Sequence, residues 1–293
     1  DLVRSRGLGD VYKRQSLFPA PRDAIWFADE AGTGPLVRRR LVPLRQTADE
    51  ETDAETDLVG LARSCKGKAA PDPAPLWTFE SLVEWLSMPS DGPADPAKVG
   101  MPPLAREVRT HVGIDSSVRT AKDGVLFSTE HVRFATGSTR YAVAFEASAP
   151  RPLDGGLVVL GGERRPSQLR EQGAIKFVPP ELPADSPRLR VVLATPALFR
   201  EGAVPAVIHG AKVVAAAVDR PDVVSGWDFA KNRQKGGQPK PTRRMARAGS
   251  VYWVELPVGT NANAWAKELW MKSISTEKQD QRDGFGLVFV GVA

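Results

Sequence analysis

Gly124–Ser148 reads GVLFSTEHVRFATGSTRYAVAFEAS. Two runs rich in β-branched and aromatic residues, Gly124–Ala135 and Thr139–Ser148, flank a Thr-Gly-Ser link. That pattern predicts an antiparallel hairpin. Toward the C-terminus, Leu157–Leu160 (LVVL) reads as a buried strand ending at Gly161 and Gly162. Leu189–Thr195, Ala211–Val218, Val251–Leu256 and Leu287–Val292 read as further strands, and Ala264–Ser273 as a helix. Toward the N-terminus, Thr78–Leu86 carries Phe79, Leu82, Val83 and Leu86 at helical spacing. Leu17–Phe27 reads as a proline-broken loop entering a short strand. Ala69–Pro75, Pro89–Pro103 and the acidic Asp49–Asp57 read as loops. Strands outnumber helices, and the helices fall between strand pairs. The expected fold class is α+β, with antiparallel sheets covered on one face by helices in a ferredoxin-like or RNA-recognition-like arrangement.

The composition bounds the function. Of 293 residues, 42% are hydrophobic and 26% charged, a globular balance. The 26 glycines and 25 prolines argue against a helical bundle. No apolar run is long enough to span a membrane, and no signal peptide is recognisable. The single cysteine, Cys65, excludes an internal disulfide or a multi-cysteine metal site, and fits a reducing, cytoplasmic setting. Three histidines, His111, His131 and His209, leave little for a histidine-rich centre. No metal and no cofactor is expected. Residues 1–15, DLVRSRGLGDVYKRQ, lack a methionine and an amphipathic period. They read as a non-native leader, which implies a truncated N-terminus beside an intact C-terminus. The domains expected are 1–15 as leader, 16–150 as the remainder of a first domain and 151–293 as a second.

Charge is localised. Gly226–Ser250 holds Lys231, Arg233, Lys235, Lys240, Arg243, Arg244 and Arg247 against Asp228 alone, whereas the whole chain sums to +5. The body is therefore near neutral and carries one basic segment, a footprint for a polyanion through counterion release. Trp227 and Phe229 precede these cations, and Tyr252 and Trp253 follow them. Aromatics interleaved with Arg and Lys suit stacking on unpaired bases while cations track a backbone. Gly236, Gly237, Pro239 and Pro241 favour an open loop. The plainer alternative makes Trp227, Tyr252 and Trp253 core anchors of strands around a solvated loop. Tyr252 and Trp253 are adjacent in a strand and face opposite ways, so a half-solvated sheet would bury only one of them.

Catalytic signatures are weak. There is no G-x-S-x-G serine, Cys65 has no flanking motif, and no D-x-D cluster lies outside the acidic loop. His111 and His131 suit contacts to RNA or a structural role better than general-base chemistry. Gly284-Phe285-Gly286 lacks the third glycine and following helix of a dinucleotide fingerprint. The glycine pairs around Leu157–Leu160 read either as tight turns or as points of close backbone approach.

Together, LFPAPRDAIWF from Leu17, RTHVGIDSSVRTAKDGVLFSTEHVRF from Arg109, LGGERRPSQLR from Leu160, VVSGWD from Val223, PKPTRRMARAGSVYWVEL from Pro239 and DGFGLVFVG from Asp283 carry a resemblance. The chain resembles the third Cmr subunit, a RAMP-superfamily, Cas-five-like protein of type III-B CRISPR effector complexes, from Phe18 to Val292. The family's opening strand and helix have no counterpart here. The resemblance implies two ferredoxin-like RAMP domains, the first incomplete, with long Pro/Gly-rich loops. It also implies a non-catalytic antiviral role: holding the repeat-derived 5′ tag of crRNA and joining it to the large Cas-ten subunit and the backbone RAMP subunits. It points to Gly226, Trp227 and Asp228 as the family's GWD turn. Lys240, Thr242, Arg243 and Arg244 match its basic element, Ala248, Gly249 and Ser250 its AGS turn, and Gly284 and Gly286 its glycine-rich loop. His111 and His131 complete the RNA-contact set. Arg247 departs from the family, which often has proline there. The resemblance implies as well a projecting hairpin that kinks the guide, which these motifs do not place. Two rivals are a Cas-six-like, metal-independent endoribonuclease using His111 or His131, and a generic single-strand RNA module.

Overall fold

A computed structural model describes residues 2–6, 14–28, 35–44, 56–136, 139–147, 154–160, 165–171, 173, 175–228, 230–231 and 237–293. Most of the acidic run, Gly161 and Gly162, and the middle of the basic segment lie outside them. The described residues are strand-rich, with four short helices.

The centre is a five-stranded antiparallel sheet. Its order is Val207–Ile208, Ala211–Ala217, Val251–Glu255, Arg188–Leu193, Val288–Val292. Sequence reading finds the four long strands because each is apolar almost throughout. Such runs mark a sheet buried on both faces. Leu189, Val191, Tyr252, Val254, Val288 and Val290 point to one face. There they meet Trp265, Ala266 and Leu269 of the helix Ala262–Leu269, which Asn261 caps by accepting from the Ala264 amide at 2.9 Å. Val192, Val251, Trp253 and Phe289 point to the other face. That face is covered by Leu82 and Leu86 of the helix Phe79–Ser87 and by Phe18. Tyr252 and Trp253 are thus both fully buried, which corrects the expectation of sheets covered on one face only.

The strand Ala211–Ala217 serves both faces through a bulge. Its register shifts between Val213 and Ala215. Ala211 and Val213 therefore join the first cluster, while Ala215 and Ala217 join the second. Unbroken alternation from Ala211 to Ala217 would point all four the same way.

The N-terminal part forms a six-stranded sheet, ordered Ala135–Thr136, Thr139–Ala144, Leu2–Arg6, Arg14–Pro19, Leu76–Thr78, Gly100–Met101. Although residues 1–15 read as a leader, Leu2–Arg6 pairs on both sides in this sheet. Pairing needs only backbone N–H and C=O groups, which this stretch offers without a proline. A smaller sheet holds Ala24–Phe27, Val37–Leu44, Leu58–Leu61 and Gly92–Pro93. Trp26, Trp77 and Trp85 build a third cluster, with Trp77 and Trp85 edge to face at 5.7 Å. The Arg38 guanidinium lies 4.6 Å from the Trp85 ring, and burial lowers its pKa from arginine's ordinary value.

The two parts of the chain are joined by a buried ionic contact. Arg190, from the central sheet, donates to Asp23, to the Trp85 carbonyl and to the Val292 carbonyl. Asp23 also accepts from Trp85 Nε1 at 2.9 Å. Both charged side chains are wholly buried.

Two hairpins stand away from these cores. Arg106–Asp115 pairs with Thr120–Val132 across the turn at 116–119. This corrects the opening expectation: Leu126–Val132 pairs backward with Arg106–Val112, and only Ala135–Thr136 pairs with the strand Thr139–Ala144. Both partners are β-rich, so composition did not choose between them. The second hairpin pairs Gly156–Leu160 with Arg165–Leu169. Leu157 is 84% exposed there, so the expected buried strand is a surface one.

Candidate nucleic-acid interface

The basic segment is a hairpin. Asp222–Val224 pairs with Arg243–Met245, and Trp227–Asp228 pairs with Gln238–Pro239. The Lys240 amide donates to the Gly226 carbonyl at 2.8 Å. Pro239 therefore lies in a paired strand rather than in the expected open loop, because proline is tolerated where strands pair on one side only. Asp228 starts the turn by accepting from the Ala230 and Lys231 amides at 2.9 and 3.3 Å. Phe229, Arg233 and Lys235 lie outside the described residues. Gly226, Trp227, Lys240 and Arg244 are on the surface, with Trp227 48% exposed.

Arg243 is held differently. Its Nη2 donates to Asp280 Oδ2 at 2.6 Å, and that carboxylate is buried. This hydrogen bond raises the Arg243 pKa further above arginine's ordinary value. Arg247, the family departure, braces the hairpin base. It reaches Asp222 at 2.8 Å and Asp219 at 3.5 Å, and Arg22 reaches the same Asp219 oxygen at 3.5 Å.

Of the remaining C-terminal candidates, Gly249, Ser250 and Gly286 are packed inside and Gly284 is half-buried. Gly249 has φ +88°, and a Cβ there would fall 2.4 Å from the Ala20 carbonyl oxygen. Its own carbonyl accepts from the Arg22 amide at 2.8 Å. Ser250 is buried and donates to the Arg247 carbonyl at 2.7 Å. Gly286 has φ +79°, and a Cβ would fall 2.5 Å from Ser275 Oγ. Gly284, also at positive φ, accepts from Thr195 Oγ1 at 2.7 Å but has open space beside it. The contacts that Gly249, Ser250 and Gly286 make here are internal to the fold.

The long hairpin brings the other two candidates together. His111 Nε2 and His131 Nε2 share the Thr129 hydroxyl, at 2.8 and 2.9 Å. The Phe127 ring stacks on His111 at 5.1 Å and 14°. Arg109 lies opposite Thr129 and reaches Glu107 at 2.7 Å. Alternation puts these odd-numbered residues on one face. Sequence reading missed Phe127, Thr129 and Arg109 because their grouping depends on the register. His209 is elsewhere, 3.3 Å from Glu268.

Beside the basic hairpin lies a cleft of about 230 Å³ lined by Leu198, Phe199, Arg200, Arg243, Arg244, Thr276, Glu277 and Asp280. Among the described residues, no group of three His, Cys, Asp or Glu is arranged to hold a metal, and no helix is long and apolar enough to cross a membrane.

Comparison with known proteins gives a family match over residues 3–293 to the model described as CRISPR-associated protein (Cas_Cmr3). No curated protein matches. Two solved structures are similar: a cryo-EM structure of the Type III-B Cmr-beta bound to cognate target RNA and AMPPnP, and one of the Type III-B Cmr-beta bound to cognate target RNA. Each aligns over 86% of this chain at 15% identity, with TM-scores of 0.43 and 0.38. The alignments cover 65% and 86% of those chains, so this chain spans just under two thirds of the first.

Proposed function

Because the chain belongs to the Cas_Cmr3 family of CRISPR-associated proteins, we propose that it is a non-catalytic RNA-binding subunit of a type III-B Cmr ribonucleoprotein. In this reading it recognises the 5′ tag of crRNA and joins it to the large Cas-ten subunit and to backbone RAMP subunits. The observation that carries the reading is the basic hairpin, which presents Trp227, Lys240 and Arg244 on one exposed element. A half-exposed indole gives a face for an unpaired base, and the cations beside it track phosphates. Arginine adds a planar fork for phosphate oxygens.

The ferredoxin-like reading of the C-terminal domain has support in strand order. Taking the long strands of the central sheet in chain order, they lie second, third, first, fourth across it. That is the order of a split β-α-β arrangement. The helix expected between the first two is replaced by residues 194–206, a departure from the full pattern. The long hairpin, exposed on both faces, fits the projecting element that the family resemblance implies. Its Phe127–His111 stack is the natural wedge against a base.

The test uses end-labelled tag RNA and a scrambled control, in chelator, at low and moderate salt. Anisotropy reports binding, and a gel of the same samples reports cleavage. Selective binding of intact tag RNA supports the reading; equal binding of the scramble overturns tag recognition. The His111–Thr129–His131 contact is the one observation that favours the rival endoribonuclease. A discrete cut lost in His111→Ala would establish that rival.

A further inference from the structure

We propose that the cleft at the base of the basic hairpin seats a single nucleotide of single-stranded RNA, with its phosphate between Arg200 and Arg244 and its base against Phe199. This deepens the RNA-binding reading above and rests on it.

The cleft is assembled from three separate stretches: Leu198–Arg200, the Arg243–Arg244 strand and Thr276–Asp280. At about 230 Å³ it lies below the ~300–1,000 Å³ of typical small-molecule pockets. That size suits one base with its phosphate rather than a dinucleotide.

Charge chooses the ligand. Three guanidiniums face two carboxylates in the lining. Asp280 is 3% exposed and is committed to Arg243. Arg243 is thereby fixed in place as a neutralised wall. The other pair is different: Arg200 reaches Glu277 at 2.8 Å, with side chains 73% and 59% exposed. A pair this exposed is held weakly, and a phosphate can take the guanidinium from it. Arg244 supplies the second, exposed cation. The remaining wall is apolar. Leu198 is buried, and Phe199 packs edge-on to the fixed Tyr252 ring at 6.0 Å, so the phenyl group is held rather than swinging. A lone inorganic anion gains nothing from that wall, whereas a base does.

The test titrates end-labelled single-stranded RNA with the full chain across a salt series. Arg200→Glu is expected to weaken binding and to flatten the slope of log K against log salt by about 0.7 for one lost phosphate contact. Phe199→Leu keeps an apolar wall but removes the ring. It is expected to weaken binding roughly five-fold or more with the slope unchanged, since stacking carries no charge. Thermal unfolding at the parent's temperature checks each fold, and the milder Arg200→Gln replaces Arg200→Glu if that variant fails. Parental affinity and slope in the Arg200 variant, while Lys240→Ala and Trp227→Ala lose affinity, overturn the cleft and leave the hairpin reading intact. Parental affinity in all four overturns the hairpin and the cleft as the RNA-binding surface, and no binding by the parent chain overturns the RNA-binding reading itself.

Discussion

Arg190 is a single residue on which both parts of the chain depend. Its three acceptors are the Asp23 carboxylate and the Trp85 and Val292 carbonyls, so its desolvation is offset only while all are present. Arg190→Met leaves Asp23 buried without its countercharge. The expected loss is about 3–5 kcal/mol, read from denaturant unfolding. Adding Asp23→Leu to that variant should recover part of the loss, because no orphaned charge then remains; a double variant less stable than either single would refute this account. The two glycines of the last turn make a second comparison at the same scale. Gly284→Ala meets only the backbone penalty of positive φ, about 1–2 kcal/mol. Gly286→Ala meets that penalty and also the Ser275 backbone and hydroxyl. Its melting temperature should therefore fall further than that of Gly284→Ala.

At the level of elements, cores and surface arms behave separately. Val108, Val112, Ile114, Leu126 and Phe127 of the long hairpin are exposed and belong to none of the three clusters. Replacing residues 106–132 by a short turn is expected to leave the unfolding temperature within a few degrees of the parent's and to reduce RNA affinity. A large drop in unfolding temperature would show that the arm supports the core. The same separation explains what could be read beforehand. The strands Arg188–Leu193, Ala211–Ala217, Val251–Glu255 and Val288–Val292 were legible because burial on both faces leaves runs that are apolar but for Arg188, Arg190, Lys212 and Glu255. Gly156–Leu160 shows the same run and is exposed, since apolarity reports a capacity for burial and not the presence of a cover. The basic hairpin was legible through the density of its charge. Arg200 and Phe199 were not, because residues 198–200, 243–244 and 276–280 meet only in the folded chain. The internal packing of Gly249 and Ser250 was not legible, because a family motif marks positions without saying what they touch.

For the molecule as a whole, the cluster under the central sheet decides cooperativity. Phe18, Leu82 and Leu86 come from the first part of the chain, and Val192, Trp253 and Phe289 from the second. An expected boundary near residue 150 predicts two separately stable units, but neither part can keep this cluster dry alone. Thermal unfolding should therefore show one transition, with tryptophan fluorescence and far-ultraviolet circular dichroism coincident. Two resolved transitions would show that the shared cluster contributes little.

Phe18 and Phe289 meet edge to face at 4.8 Å, though they lie near opposite ends of the described chain. Closing so long a loop costs entropy before the contact returns any energy. The kinetics of folding should carry that signature. Refolding is expected to be slow, since it waits on the meeting of distant segments, and species that have not made that contact should expose the apolar face of the central sheet. In a protein built this way, completion of the fold becomes a race between the meeting of those distant segments and aggregation through the exposed face.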